Sequence, residues 1–295
     1  MYWLKRKYVI ILFITFYSCS TCVFAQRKLN LKELELKGRV KSVTEKVYKA
    51  VEKFGEPTKS DLIEEKTMTF DINGRMLTEE TSKDGKRQKS IFSYDEKGTL
   101  LEIQLLEIGI DYRGEQLIEG ITITKISVDN KGNILEEADY DKAGTLQGKR
   151  IYKYTSSAGF VIVEEGVYDS NGAGGIDKIR KFDLKGHLVE AKNDINQRES
   201  LQKFIYNAKG KKIEEKAYYG GSLLGSAKCK YDENDFVVEV NAETFKGLKR
   251  STIYKYNKDA HANYVTKTEL VAASYNGMNN RLEAKGITER DILYY

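Results

Sequence analysis

Five short stretches decide how this chain folds: Phe70-Asp71-Ile72-Asn73-Gly74, Tyr94-Asp95-Glu96-Lys97-Gly98, Val128-Asp129-Asn130-Lys131-Gly132, Phe182-Asp183-Leu184-Lys185-Gly186 and Tyr206-Asn207-Ala208-Lys209-Gly210. Each is an aromatic or apolar residue, then Asp or Asn, two variable residues and Gly. Two looser copies belong to the series: Tyr154 to Gly159, one residue longer, and Tyr231-Asp232-Glu233-Asn234-Asp235, with Asp where the Gly stands; Tyr256 opens a further unit. The third residue past the Gly position is always apolar: Leu77, Leu101, Leu135, Ile162, Val189, Ile213 and Val238. Starts recur every 24 to 34 residues, the spacing of a repeat architecture.

The residue types explain themselves as turns. An Asp or Asn side chain accepts from backbone N–H groups two and three residues on, and the Gly suits the left-handed position that closes a bulged hairpin. Flanks such as Ile151-Tyr152-Lys153-Tyr154 and Ile253-Tyr254-Lys255-Tyr256 alternate with period two, as strands do. Weaker turns fall midway, at Tyr140-Asp141-Lys142-Ala143-Gly144, Tyr168-Asp169-Ser170-Asn171-Gly172 and Tyr219-Gly220-Gly221-Ser222. Two strands per period predict an all-β fold, an elongated antiparallel hairpin array of the meander or solenoid kind. A single proline in 295 residues excludes collagen-like and Pro-rich classes.

Outward from the repeats, Lys5, Arg6 and Lys7 precede an apolar run from Tyr8 to Tyr17, and Val23 and Ala25 sit at −3 and −1 of a cut before Gln26. The run is too short for a bilayer's ~30 Å of hydrocarbon, so residues 1–25 read as a signal peptide and no integral membrane span is expected after cleavage. An acyl anchor on Cys19 or Cys22 is the competing reading, against which stands the lack of Leu at −3. Residues 26–66 read as an N-terminal capping strand region, in which Val43, Val47 and Val51 suit a strand. Residues 67–262 hold the hairpins, and 263–295 a C-terminal capping hairpin around Asn276-Gly277. Cleavage leaves 46 basic residues of the 49 against 44 acidic ones, so no nucleic-acid footprint is expected. It also leaves Cys229 alone, a small hydrophobe within a strand.

The Tyr-Asp-x-x-Gly-x-Leu spacing resembles the YD repeat of RHS (rearrangement hotspot) proteins over roughly residues 70–267. The chain as a whole resembles uncharacterised exported proteins of Bacteroidota that carry degenerate YD-like hairpins. The resemblance implies strands rolled towards a β-shell, and related repeats bind carbohydrate or other cells. The chain is far shorter than an enclosing shell and has neither a self-cleaving core segment nor a toxin domain after it.

Catalytic patterns are missing. His187 and His261 are the two histidines, both in expected turns, and no metal-ligand spacing, phosphate loop or nucleophile elbow occurs. No enzyme activity, metal or cofactor is therefore expected. Two features read as surfaces. Glu102, Glu136, Glu190, Glu214 and Glu239 each lie four residues past the turn Gly position and would align as a carboxylate column, with Lys153, Lys230 and Lys255 near by. The blander reading is a solvated face of cross-strand charge pairs. Tyrosines would either stack on sugar rings or plug a thin core, and Tyr218-Tyr219 beside Gly220-Gly221 place one ring on each face of a strand. Tyr218, Tyr219, Glu190 and Glu214 are the candidate ligand contacts. The expectation is an exported, non-enzymatic binding or structural module at the cell envelope, with a glycan or protein partner. The alternatives are a glycan hydrolase with a carboxylate pair hidden in the repeats, or an RHS-like accessory in interbacterial competition.

Overall fold

In the computed structural model the described residues are 29–110, 113, 115–195, 198–275, 278–279 and 281–295. The leader, with Cys19, Cys22 and the cleavage site, and the Asn276-Gly277 turn lie outside them. The strands are β1 (Val40–Lys53), β2 (Glu56–Phe70), β3 (Met76–Lys83), β4 (Lys86–Tyr94), β5 (Leu100–Ile110), β6 (Gln116–Val128) and β7 (Ile134–Asp141). They continue with β8 (Leu146–Ser157), β9 (Phe160–Asp169), β10 (Gly174–Asp183), β11 (Leu188–Ile195), β12 (Arg198–Tyr206) and β13 (Lys212–Tyr219). The last are β14 (Ser222–Tyr231), β15 (Val237–Thr244), β16 (Lys249–Lys258), β17 (Tyr264–Tyr275), β18 (Met278–Asn279) and β19 (Glu283–Tyr294).

Each strand pairs antiparallel with its neighbours in sequence, as the hairpin reading requires. The ends correct that reading. β1 pairs with β2 on one side and with β19 on the other, and β19 also pairs with β17. Apart from the two-residue spur β18, the 19 strands therefore form one closed ring, an 18-stranded barrel. An elongated solenoid-like sheet, and the YD/RHS array behind that expectation, would leave both edges open. Here Val40 to Lys49 zip onto Tyr294 to Gly286, so the edges are gone.

The repeated turns all lie at one end of the barrel, the closed end. Asp71 Oδ1 accepts from the N–H groups of Asn73 and Arg75, and the same two bonds recur at Asp129, Asp183, Asn207 and Asp232. The second donor is thus four residues on, not three, because the Gly N–H bonds the Asp carbonyl instead. Gly74, Gly98, Gly132, Gly186 and Gly210 all have φ between +77° and +87°, and Asp235 takes the same region at +68°. At Tyr154–Gly159 the outcome differs: β8 runs on to Ser157, and Ala158-Gly159 make a two-residue turn with both φ positive. The final copy is Lys258-Asp259-Ala260-His261-Ala262, two residues later than Tyr256, with Ala262 in the left-handed region.

The tyrosine of one unit clasps the hairpin before it. Tyr94, Tyr154, Tyr206, Tyr231 and Tyr256 donate their hydroxyls to the carbonyls of Met76, Ile134, Leu188, Lys212 and Val237, at 2.7–2.9 Å. Each acceptor is the second residue past a turn's Gly position. In three copies the next residue, Leu77, Leu101 or Leu135, sits at a β-bulge and is exposed, while Ile162, Val189, Ile213 and Val238 are half-buried, so none of the seven is a buried core residue.

Residues 29–39 plug the closed end. Leu29, Leu31, Leu34 and Leu36 pack onto the inner face of the wall against Val43, Met68, Phe70, Met76, Phe92 and Ile103. Leu31 N–H donates to Gly74 O and Met76 N–H to Leu29 O, which pins the start of the segment at the β2–β3 turn. Glu35 then pairs with Lys211 at 2.8 Å in the β12–β13 turn, on the far side of the ring. Asn263, 1% exposed, receives Lys37 N–H on its Oδ1 and returns its amide to Lys37 O.

Candidate functional site

Two walls come from one alternation. Near the stopper the face that carries it holds most of the buried side chains, and the long charged side chains of the other face reach solvent. The contrast is clear in two lysines, Lys212 on the inner wall at 7% side-chain exposure and Lys230 on the outer wall at 67%.

The outer wall is where the carboxylate column lies. Glu190 stands opposite Lys181 and Lys203, Glu214 opposite Ile205 and Lys228, and Glu239 opposite Lys230. The five glutamates hold the same place in their repeats, and four are built into charge pairs, Glu136–Lys149, Glu190–Lys192, Glu214–Lys216 and Glu239–Lys230, at 2.7–3.9 Å, while Glu102 stands opposite Lys125. Lys153 reaches Glu164 at the 4.0 Å limit. Tyr218 is on this outer face, with Lys203 over its ring at 5.8 Å, and Tyr219 is on the inner one opposite Ser200 and Ser222. The structure thus separates Tyr218 and Tyr219 and places Glu190 and Glu214 on neighbouring hairpins.

The inner wall holds what the sequence reading missed. On β7 to β10, the pairs Glu137–Arg150, Tyr152–Glu165 and Val163–Arg180 stand directly opposite one another across adjoining strands. Glu137 Oε2 accepts from Arg150 Nη1 at 2.9 Å and from the Tyr152 hydroxyl at 3.1 Å. Arg150 also reaches Asp139, which accepts from Thr124. Arg180 Nη2 lies 2.6 Å from Glu165 Oε2, a charge contact without hydrogen-bond alignment, and Lys178 approaches the other oxygen at 3.8 Å. Burial, with the Glu137 charge beside it, pushes the Tyr152 phenol up, so it stays a protonated donor. Glu137, Tyr152, Val163 and Arg180 border a cavity of about 330 Å³ at the closed end, between Asn133 and the Asp183–Gly186 turn. Its apolar sides are Ile134, Tyr154, Val161 and Phe182.

A second inner cluster lies across β1, β17 and β19. Burial alone would raise the Glu45 carboxyl, but the Arg290 charge and hydrogen bond, with Lys267 behind them, hold it below its ordinary value. The Tyr264 hydroxyl donates to the same carboxylate at 3.0 Å, and Arg290 lies over the Tyr264 ring. Burial holds Lys267 below the ordinary lysine range. Both histidines sit in turns, as expected: His187 bonds Asp183 and stacks on Tyr206, and His261 stacks on Tyr294. Cys229 is buried on the inner wall.

No protein-family model matches the sequence, and comparison with curated proteins finds no match. Among solved structures the chain is similar to a porin-like protein from Bacteroides uniformis, at 10% identity and a TM-score of 0.39, over 87% of this chain and 98% of that one. A porin-like protein from Bacteroides vulgatus matches over the same shares at 10% identity and a TM-score of 0.30. The resemblance to an open YD or RHS array is corrected by the ring of strand pairs: the turn chemistry serves a closed barrel. The barrel itself rests on this chain's own strand pairs.

Proposed function

We propose that the chain is exported to the cell envelope and works there as a water-bathed, one-end-closed β-barrel, a binding or structural module that does not alter its ligand chemically. The observation that carries this is the outer wall. A lipid-facing barrel shows an apolar band ~25 Å tall, and a Lys or Arg at its middle costs about 2–4 kcal/mol. Here Lys46, Lys149, Lys192 and Lys216 project from that wall and pair with Glu65, Glu136, Glu190 and Glu214. The leucine stopper adds that the lumen is not an open bore.

The second reading is a channel-like protein of the outer membrane, favoured by the strand number, since rings of 16–18 strands are wide enough for an aqueous lumen. Residues 26–295, exported and purified without detergent, separate the two. A monodisperse protein that gives no conductance in planar bilayers is expected. Extraction from membranes by detergent alone, together with discrete conductance steps, would overturn the proposal.

A further inference from the structure

We propose that the inner-wall cavity on β7 to β10 binds one ring of a neutral, hydroxyl-bearing ligand, a sugar residue. The inference rests on the binding-module reading and names the chemistry of its ligand. Size comes first: about 330 Å³ falls at the lower end of the ~300–1,000 Å³ typical of small-ligand sites, which suits one or two rings.

Charge decides the class. The ionic groups at and behind the cavity are Glu137, Asp139, Glu165 and Asp183 with Arg150, Arg180 and Lys178, and each is paired, Asp183 within its own turn to His187. An anion would have to take Arg180 from Glu165, and a cation would have to take Glu137 from Arg150 or Asp183 from the turn bonds and His187 that hold it. Breaking either buried pair leaves a charge uncompensated. A neutral ligand asks for neither. It can donate a hydroxyl to Glu137, whose Oε2 serves both Arg150 and Tyr152 while Oε1 makes no hydrogen bond among the described residues. It can accept from Arg180, 8% exposed and one of the lining residues. A polyol that donates and accepts from adjacent carbons matches such a mixed pair, as an aliphatic ring does not.

Shape agrees. Tyr152, Tyr154 and Phe182 supply aromatic surface beside these polar groups, and the C–H face of a sugar ring packs on such surface. Tyr154 is held in place because its hydroxyl is committed to Ile134 O at 2.9 Å.

Saturation-transfer NMR on residues 26–295 tests this with three neutral probes, methyl α-glucoside, methyl β-galactoside and N-acetylglucosamine. Cyclohexanecarboxylate and cyclohexyltrimethylammonium are the charged rings of similar size. Transfer to at least one sugar and to neither charged ring is expected. Glu137→Gln should weaken that sugar about tenfold, the range for a hydrogen bond to a charged group. Val161→Trp should fill the space and abolish transfer, and it decides the matter if Glu137→Gln does not fold. Preference for a charged ring, no transfer to any sugar, or transfer that survives Val161→Trp would overturn the assignment. Such a failure in a detergent-free, non-conducting protein would break this inference alone and leave the module reading standing.

Discussion

The two ends of the barrel are built differently. At the closed end, Asp- or Asn-headed turns are tied to one another and to the stopper: Lys258 reaches Asp232 at 2.7 Å, Lys209 reaches Asp235 at 3.3 Å, and Glu35 takes Lys211. At the opposite end Asp141 and Asp169 head turns with the same two bonds, the other described turns are two-residue or close on a Gly, and large apolar side chains stand bare. Phe54 is fully exposed and Phe245 64% exposed, with Ile110, Leu117, Ile118 and Ile176 also in solvent. One end is a collar cross-tied by ion pairs and by the stopper; the tips at the other touch through bonds such as Phe245 N–H to Leu224 O and Gly220 N–H to Glu199 O, with no stopper against them among the described residues. Stability should therefore be concentrated at the closed end.

The largest expected effect tests that asymmetry. Leu36→Ala removes a buried anchor of the stopper and should cost about 2–5 kcal/mol in urea unfolding, whereas Phe245→Ala should stay within about 0.5 kcal/mol. Equal small losses would mean that the stopper merely rests on the barrel. The next effect is collective. Burial would raise the Asp71, Asp129, Asp183, Asp232 and Asp259 carboxyls, but hydrogen bonds and neighbouring positive groups hold all five below their ordinary value. A carboxyl lowered in the folded state contributes stability that is complete above its unfolded value of about 3.9 and disappears as pH falls through the folded value. Thermal melts should be flat above about pH 5 and fall steeply below about pH 4. A Tm that held steady through that window would break the claim.

Single backbone positions sharpen it further. Gly132 has φ +83° with open space around its missing Cβ, so the cost of Gly132→Val is backbone strain rather than a clash. A loss of about 1–3 kcal/mol is expected, and Gly132→Asn should recover much of it, because Asn tolerates the left-handed region. Tyr231→Phe deletes one clasp, to Lys212 O, and should cost about 1 kcal/mol; Tyr218→Phe, with its ring on the outer wall, should change little.

The closed end was legible because its chemistry is local. An Asp, a Gly three residues later and flanking alternation are enough to specify a bulged hairpin wherever it sits. Closure was not legible, since the contact that makes it joins Val40 to Tyr294, and no local pattern counts strands around a ring. The stopper left a faint mark that went unread, four leucines at 29, 31, 34 and 36 in an otherwise polar run, fitting neither strand nor helix period. The cavity was missed by one residue. The spacing rule singles out Glu136, which lies past the bulge and faces water, while its neighbour Glu137 turns inward to Arg150 and Tyr152. On a barrel with polar residues on both walls, hydrophobic alternation does not say which face is inside.

The smallest effect concerns the outer wall, and it is the one that separates a charge ladder from a binding surface. Glu190 and Glu214 are paired to Lys192 and Lys216 at 3.9 and 3.5 Å, with side chains that remain in contact with water. Pairs of this kind on a sheet contribute about 0.2–1 kcal/mol each, and salt screens them. The double reversal Glu190→Lys, Glu214→Lys should therefore lower stability by no more than about 2 kcal/mol at low salt. Most of that loss should vanish in about 1 M salt, where the Debye length falls to ~3 Å. Sugar transfer at the inner cavity should be untouched, because the reversed side chains lie on the other face of the wall. If the reversal instead left stability alone and abolished ligand binding, the outer wall would be the functional surface, and Glu190 and Glu214 would be contacts rather than rungs.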